Sequence, residues 1–106
     1  MKEAAIVSVA RTPVGRAFRG AYNDTHAADL AGHVVAEAVR RAGVDPAQVE
    51  EVILGCAMQE GTTGYNISRQ AAIRAGLPVT VSAATINRFC ASGLHALAIA
   101  AQAVQT

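Results

Sequence analysis

Of the side chains in this sequence, the two cysteines are the best equipped for nucleophilic chemistry, and they sit in different surroundings. Cys90 stands in N-R-F-C-A-S-G-L-H, residues 87–95, between an apolar run of strand character and an alanine-rich run of helical character. In parallel α/β sheets ligands bind outside the carboxyl ends of the strands, so a thiol at such a joint is well placed to act. A helix that begins there offers free N–H groups and a positive partial charge. Both favour the thiolate, which is the nucleophilic form. Ala91, Ser92 and Gly93 are small and let a substrate approach the backbone, and the Cys90 N–H can donate to an oxyanion. On spacing alone, an inert buried thiol stays open beside the nucleophile. Cys56, in G-C-A-M, reads as a small buried hydrophobe.

A cysteine nucleophile normally works with a base. His95 is poorly placed for that role, because five residues along a helix amount to about 500°, or roughly 140° away from the Cys90 direction. It reads as a helix-flank side chain. His26 and His33 belong to the first helical region and read as solvated. Arg11, Arg16 and Arg19 share the first loop, where they either meet an anionic ligand or are simply solvated. The sequence has no G-x-x-x-x-G-K-[ST], no G-x-G-x-x-G after the first strand, no C-x-x-C and no H-E-x-x-H. No metal site is expected, and cofactor-binding residues stay unassigned.

These residues need elements to hold them. With 106 residues the chain is long enough for one small domain. Residues 4–9, A-A-I-V-S-V, read as a buried strand, closed by a loop with Pro13, Gly15 and Gly20 as breakers. In the following helix Leu30, Val34, Val35, Ala38 and Val39 fall on one side, while Asp29, His33, Glu37 and Arg41 form a polar stripe. Thr25 or Asp24 is its expected N-cap and Gly43 its end. Asp45 and Pro46 restart the chain as cap and first helical residue. E-E-V-I-L-G-C-A-M is the second strand. A helix runs from the Asn66 cap to Gly76, with Pro78 preventing its continuation. V-T-V-S-A-A-T-I-N is the third strand, and A-S-G-L-H-A-L-A-I-A-A-Q-A-V-Q the third helix. The order β-α-β-α-β-α predicts an α/β fold with a parallel sheet.

The third helix is unusual, because residues 91–106 contain no Asp, Glu, Lys or Arg. A helix without a charged face is usually buried on most sides. It is shorter than the ~20 residues a membrane span needs and carries His95, Gln102 and Gln105. One three-strand layer cannot cover both its sides, so more protein is expected to pack on it. That cover is either a partner chain or, as expected here, the continuation of a longer chain. The net charge of +1 and the scattered arginines give no basic face, so nucleic acid is not expected as a partner. Neither a signal peptide nor a transit segment is read at the start, and a reducing cytoplasm is the expected compartment.

Three stretches together resemble the thiolase family. I-N-R-F-C-A-S-G-L-H-A-L, residues 86–97, is similar to its acyl-enzyme cysteine signature. V-A-R-T-P-V-G-R-A-F-R-G and V-I-L-G-C-A-M-Q-E-G-T-T-G-Y-N-I-S-R-Q-A-A-I-R-A-G-L-P match in the same order, so the resemblance runs the whole length. The N-R-F before Cys90 looks more like the degradative 3-ketoacyl-CoA type than the biosynthetic acetoacetyl-CoA type. The resemblance implies that residues 1–106 are the N-terminal part of the N-terminal domain of a layered αβαβα fold, incomplete here. It implies that Cys90 is the nucleophile, acylated by a 3-ketoacyl-CoA and then relieved by CoA, with CoA as substrate and no cofactor. It also implies a homo-oligomer, dimer or tetramer, for the complete protein. The family's histidine base and its second, acid/base cysteine belong to a later part of the chain, and Cys56 does not match that cysteine. A biosynthetic acetyl-CoA acetyltransferase, a ketoacyl-synthase-like enzyme and a non-catalytic dimerisation chain using the third strand remain the alternatives.

Overall fold

A computed structural model describes residues 2–106. Three α-helices and two strands follow one another: α1 (Ala27–Ala42), β1 (Glu51–Gly55), α2 (Ile67–Arg74), β2 (Ser82–Ile86) and α3 (Ser92–Gln105). Short 3-10 turns at Pro46–Gln48 and Gly61–Thr63 lie between α1 and β1 and between β1 and α2. The strands are parallel and pair from Glu51 with Ser82 to Gly55 with Ile86. Two parallel strands need a crossover, and α2 supplies it.

That crossover is tied to the sheet by its first turn. Asn66 caps α2, its Oδ1 accepting from the Arg69 N–H at 3.3 Å. The same side chain accepts from the Thr85 hydroxyl at 2.7 Å and donates to the Ala83 carbonyl at 3.1 Å. Ser68 is fully buried and donates to the Val52 carbonyl at 2.8 Å. The Arg69 guanidinium donates to the carbonyls of Val79, at 3.0 Å, and Val81, at 2.5 Å. Each bond turns a polar group under the helix into a fastening rather than an unpaired cost. The apolar core is small: Ala72, Leu77 and Val81 pack against Val35, Val39 and Val52, among others. Val35 and Val39 of α1 thus face inward as their spacing predicts. Helix α1 lies close on α2, since a Cβ at Gly32 would stand 2.8 Å from the Arg74 side chain.

Several expectations are corrected. Residues 4–9 form no strand: Ile6 and Val9 are both 70% exposed, and among the described residues the sheet has only β1 and β2. The apolar run is real, but a strand exists only where a neighbour takes up its N–H and C=O groups. The segment is anchored instead at Val9, whose carbonyl accepts from Arg41 at 2.8 Å. The cap of α1 is His26, not Thr25 or Asp24; its Nδ1 accepts from the Ala28 N–H at 3.0 Å. Gly43 ends α1 at φ 70, as expected. Gly76 follows α2 at φ 84, and Ala75 rather than Gly76 holds the C-cap position. Helix α3 is not enclosed by this chain. Only Ser92 and Ala96 are buried, and Leu94, Leu97 and Val104 are exposed.

Candidate active site

Strand β2 ends at Ile86, and five residues, 87–91, turn the chain before α3 begins. Nearly every amide in that turn is engaged. The Phe89 N–H donates to Asn87 Oδ1 at 2.9 Å. The Ala91 N–H donates to the Arg88 carbonyl at 3.0 Å and the Ser92 N–H to the Phe89 carbonyl at 3.1 Å. The Arg88 N–H donates to Ser92 Oγ at 2.8 Å, and that hydroxyl donates to the Phe89 carbonyl at 2.6 Å. Among residues 88–92, these bonds leave out only the N–H of Cys90. Ala91 holds the cap position of α3 and has no side chain to cap with. The Ser92 hydroxyl ties the turn together instead.

The turn is strained at one point. Phe89 has φ 46, in the left-handed region, where a bulky residue costs on the order of 1–3 kcal/mol. Its neighbour Cys90 is exposed and carries a free thiol. A sharp, strained corner immediately before a thiol lifts that thiol away from the sheet, at the carboxyl end of β2. The corner is held from below by β1. Gly55, the last residue of β1, has no side chain, and a Cβ there would meet Ser92 C at 2.4 Å and Gly93 N at 2.6 Å. Glycine is required here by close approach of the two backbones. Ser92 is 3% exposed, with its hydroxyl turned into the corner onto Arg88 and Phe89. The expectation that it opens space for a substrate is therefore corrected, whereas Ala91 and Gly93 are exposed. A Cβ at Gly93 would meet nothing within 4 Å, so the space above it is open.

The other sequence candidates fall elsewhere. Cys56 is half-buried; its N–H donates to the Ile86 carbonyl at 3.0 Å and its thiol to the Met58 carbonyl at 3.4 Å. It closes β1 against β2. His95 sits in the first turn of α3, with its Nδ1 buried and without a partner among the described residues. No hydrogen bond joins it to Cys90 among those residues, in keeping with the angle read from the sequence. His33 is exposed on α1 and lines a small cleft with Arg11, Glu37 and Arg41. Glu37 is bonded by Arg40 and Arg41, and these two guanidinium groups hold its carboxyl down to about 2. A larger cleft between α1 and α2 is lined by His26, Asp29, Arg69 and Arg74. Its cations are already used, Arg69 on backbone carbonyls and Arg74 on Asp29. Among the described residues no cluster of His, Cys, Asp or Glu could hold a metal ion, and no helix is long and apolar enough to cross a membrane.

Sequence reasoning named Cys90 but missed its supports, Gly55, Asn87 and Phe89, and read Ser92 only as a small residue that lets a substrate approach, not as the buried hydroxyl that ties the turn. Gly55 and Ser92 lie 37 positions apart, the difference of their two numbers, and only the fold brings them together.

The family model for the thiolase N-terminal domain matches residues 4–106. The chain belongs to the thiolase family. It is 45% identical to a 3-ketoacyl-CoA thiolase of Saccharophagus degradans over 94% of this chain and 26% of the relative. Identity is also 45% to an acetyl-CoA acetyltransferase of Syntrophomonas wolfei, over 98% of this chain and 26% of the relative. The crystal structure of Acat5 thiolase from Ascaris suum, in complex with coenzyme A, superposes with a TM-score of 0.91 at 36% identity. That match covers 98% of this chain and 27% of the other. The α/β character and the thiolase-type fold are thus established, and the chain spans about a quarter of the length of the thiolases it matches.

Proposed function

We propose that this chain carries the nucleophile of an acyl-CoA acyltransferase that cleaves 3-ketoacyl-CoA with CoA, and that Cys90 is that nucleophile. The observation that carries the reading is the exposed Cys90 thiol on a strained and otherwise fully bonded corner at the carboxyl end of β2. In the first half-reaction the Cys90 thiolate bonds to the 3-keto carbon, and the carbonyl electron pair moves to oxygen. The Cys90 N–H is positioned to receive that oxyanion, the kind of stabilisation that dominates acyl transfer. Collapse reforms the carbonyl and breaks the bond between carbons 2 and 3. The departing pair takes a proton and leaves as acetyl-CoA, with the shortened acyl group held on Cys90 as a thioester. In the second half-reaction the thiolate of a new CoA attacks that thioester and frees Cys90. The base and acid that move these protons are assigned to the part of the relatives' length that this chain does not span.

The degradative direction, and with it a place in fatty-acid β-oxidation, is supported by the N-R-F that precedes Cys90. Equal identity to relatives named for either direction does not separate them. A reducing cytoplasm suits a free, exposed thiol that must stay nucleophilic. The exposed apolar residues of α3, Leu94, Leu97 and Val104, support further protein packing there and a homo-oligomer in the natural protein.

The test is CoA-dependent consumption of 3-ketoacyl-CoA by the natural full-length protein, with substrates from acetoacetyl-CoA upward in chain length. Turnover that persists with longer chains supports the degradative reading. Activity confined to acetoacetyl-CoA moves the biosynthetic acetyltransferase to the front, and no turnover with any chain length contradicts both.

A further inference from the structure

We propose that Ser92 is a positioning residue whose hydroxyl acts through the backbone of the Cys90 corner, aiming the Cys90 N–H rather than activating the thiol. The proposal rests on the assignment of Cys90 as the nucleophile. Ser92 Oγ is a two-way connector: it accepts from the Arg88 N–H at 2.8 Å and donates to the Phe89 carbonyl at 2.6 Å. A single hydroxyl has one proton to give and lone pairs to accept with, so both bonds form at once. One bond holds the peptide between Asn87 and Arg88 and the other the peptide between Phe89 and Cys90, so together they bracket the left-handed Phe89, at φ 46. That conformation is unfavourable for phenylalanine and persists only where its surroundings over-determine it. The hydroxyl is one such restraint, and Asn87 Oδ1 on the Phe89 N–H is the other.

The consequence falls on the next peptide. With Arg88, Phe89, Ala91 and Ser92 all donating within the turn, the amide of Cys90 is the one these bonds leave for an oxyanion. Ser92 itself is 3% exposed, its backbone lies against Gly55 of β1, and its hydroxyl is spent on Arg88 and Phe89. It does not touch substrate, and its effect is transmitted through geometry alone. A serine used only for packing would make neither bond. A serine acting as a proton relay to the thiol would bond Sγ, and no such bond exists among the described residues.

This separates two reactions of one thiol. Alkylation by iodoacetamide needs an accessible thiolate and no oxyanion donor. Acylation by an acyl-CoA needs both. In the natural full-length protein, Ser92→Ala is expected to slow acylation of Cys90 by acetyl-CoA, or by a 3-ketoacyl-CoA, about 10- to 100-fold, in the range of a misplaced oxyanion donor. Its alkylation by iodoacetamide is expected to stay within about 2-fold, and kcat to fall with KM within about 2-fold. Ser92→Thr, which keeps the hydroxyl, is expected to recover most of the acylation rate. Should Ser92→Ala not fold, Ser92→Cys keeps a weak donor of similar size and is expected to acylate more slowly than wild type while alkylating normally. Acylation of Ser92→Ala at the wild-type rate overturns the proposal. So does equal loss of acylation and alkylation, which marks disruption of the whole corner, or a folded Ser92→Thr that recovers nothing. Failure of the wild-type protein to acylate Cys90 at all is a different result: it sinks the nucleophile assignment, and the positioning role with it.

Discussion

The last residue of β1 and the first of α3 are in backbone contact: a Cβ on Gly55 would lie 2.4 Å from the carbonyl carbon of Ser92. Through this contact the sheet sets the height of the corner that carries Cys90. Gly55→Ala must push Ser92 and Gly93 upward, because backbone atoms have no rotamer in which to escape. Overpacking of this kind costs about 1–3 kcal/mol. The expected outcome is a lower melting temperature together with at least about 10-fold slower acylation of Cys90 in the natural full-length protein. Thermal melts and single-turnover acylation measure the two effects separately. A variant that melts lower but acylates normally would show that the corner rides independently of β1.

The two thiols should differ sharply in access. Cys90 is exposed, whereas Cys56 is half-buried and donates to the Met58 carbonyl. Under native conditions a limiting alkylating reagent is expected to modify Cys90 about 10-fold or more faster than Cys56, since reactivity follows thiolate access. Peptide mass spectrometry over a time course reads the ratio. Preferential labelling of Cys56 would contradict the orientation described for both.

The fastening of α2 should show in stability rather than in chemistry. Ser68→Ala removes the hydroxyl that donates to the Val52 carbonyl from a fully buried site. The loss is expected to be about 0.5–1.5 kcal/mol, the net worth of an ordinary intramolecular hydrogen bond, read as a shift in the denaturation midpoint. Iodoacetamide labelling of Cys90 in the folded protein should be unchanged.

The acid response should involve Glu37. Its carboxyl is held down to about 2 by hydrogen bonds from Arg40 and Arg41, from an ordinary value of 4.5. A depressed folded-state value stabilises the fold above the unfolded value and loses that contribution as pH falls. The interaction is therefore fully present above about pH 4.5 and fades toward pH 2. The site lies on the surface, so the contribution is small and weakened by salt. NMR titration is expected to place Glu37 well below the ordinary 4.5, and Arg40→Ala to raise it part of the way back, Arg41 keeping its share. An ordinary titration in the unmodified protein would contradict the pairing.

Much of this was legible in the sequence. The apolar spacing of α1, the Asn66 cap and the Asp45–Pro46 restart are local signals written within a few residues, and each appears where it was expected. Cys90 was legible because a thiol between strand and helix character is a local pattern too. That residues 4–9 stay unpaired was not, because a short apolar run signals strand character but does not specify a neighbour to pair with. The cap of α1 went to His26 because an imidazole Nδ1 can accept from the N2 amide as a carboxylate or hydroxyl does. Ser92 was misassigned because its small size suggested open space. Its burial depends on Gly55, far away in the chain, and no periodicity reports such a contact. The apolar composition of α3 was read as a call for cover, and the exposed Leu94 and Leu97 show that within residues 2–106 the cover is absent.

The central claim is that Cys90 forms an acyl-enzyme. The direct measurement is rapid acid quench of the natural full-length protein with a 3-ketoacyl-CoA, followed by peptide mass spectrometry. The account predicts the mass of the shortened acyl group on the peptide containing Cys90, lost in Cys90→Ser and discharged when CoA is added. An acyl group on Cys56, or turnover with no acylated peptide at Cys90, would contradict it.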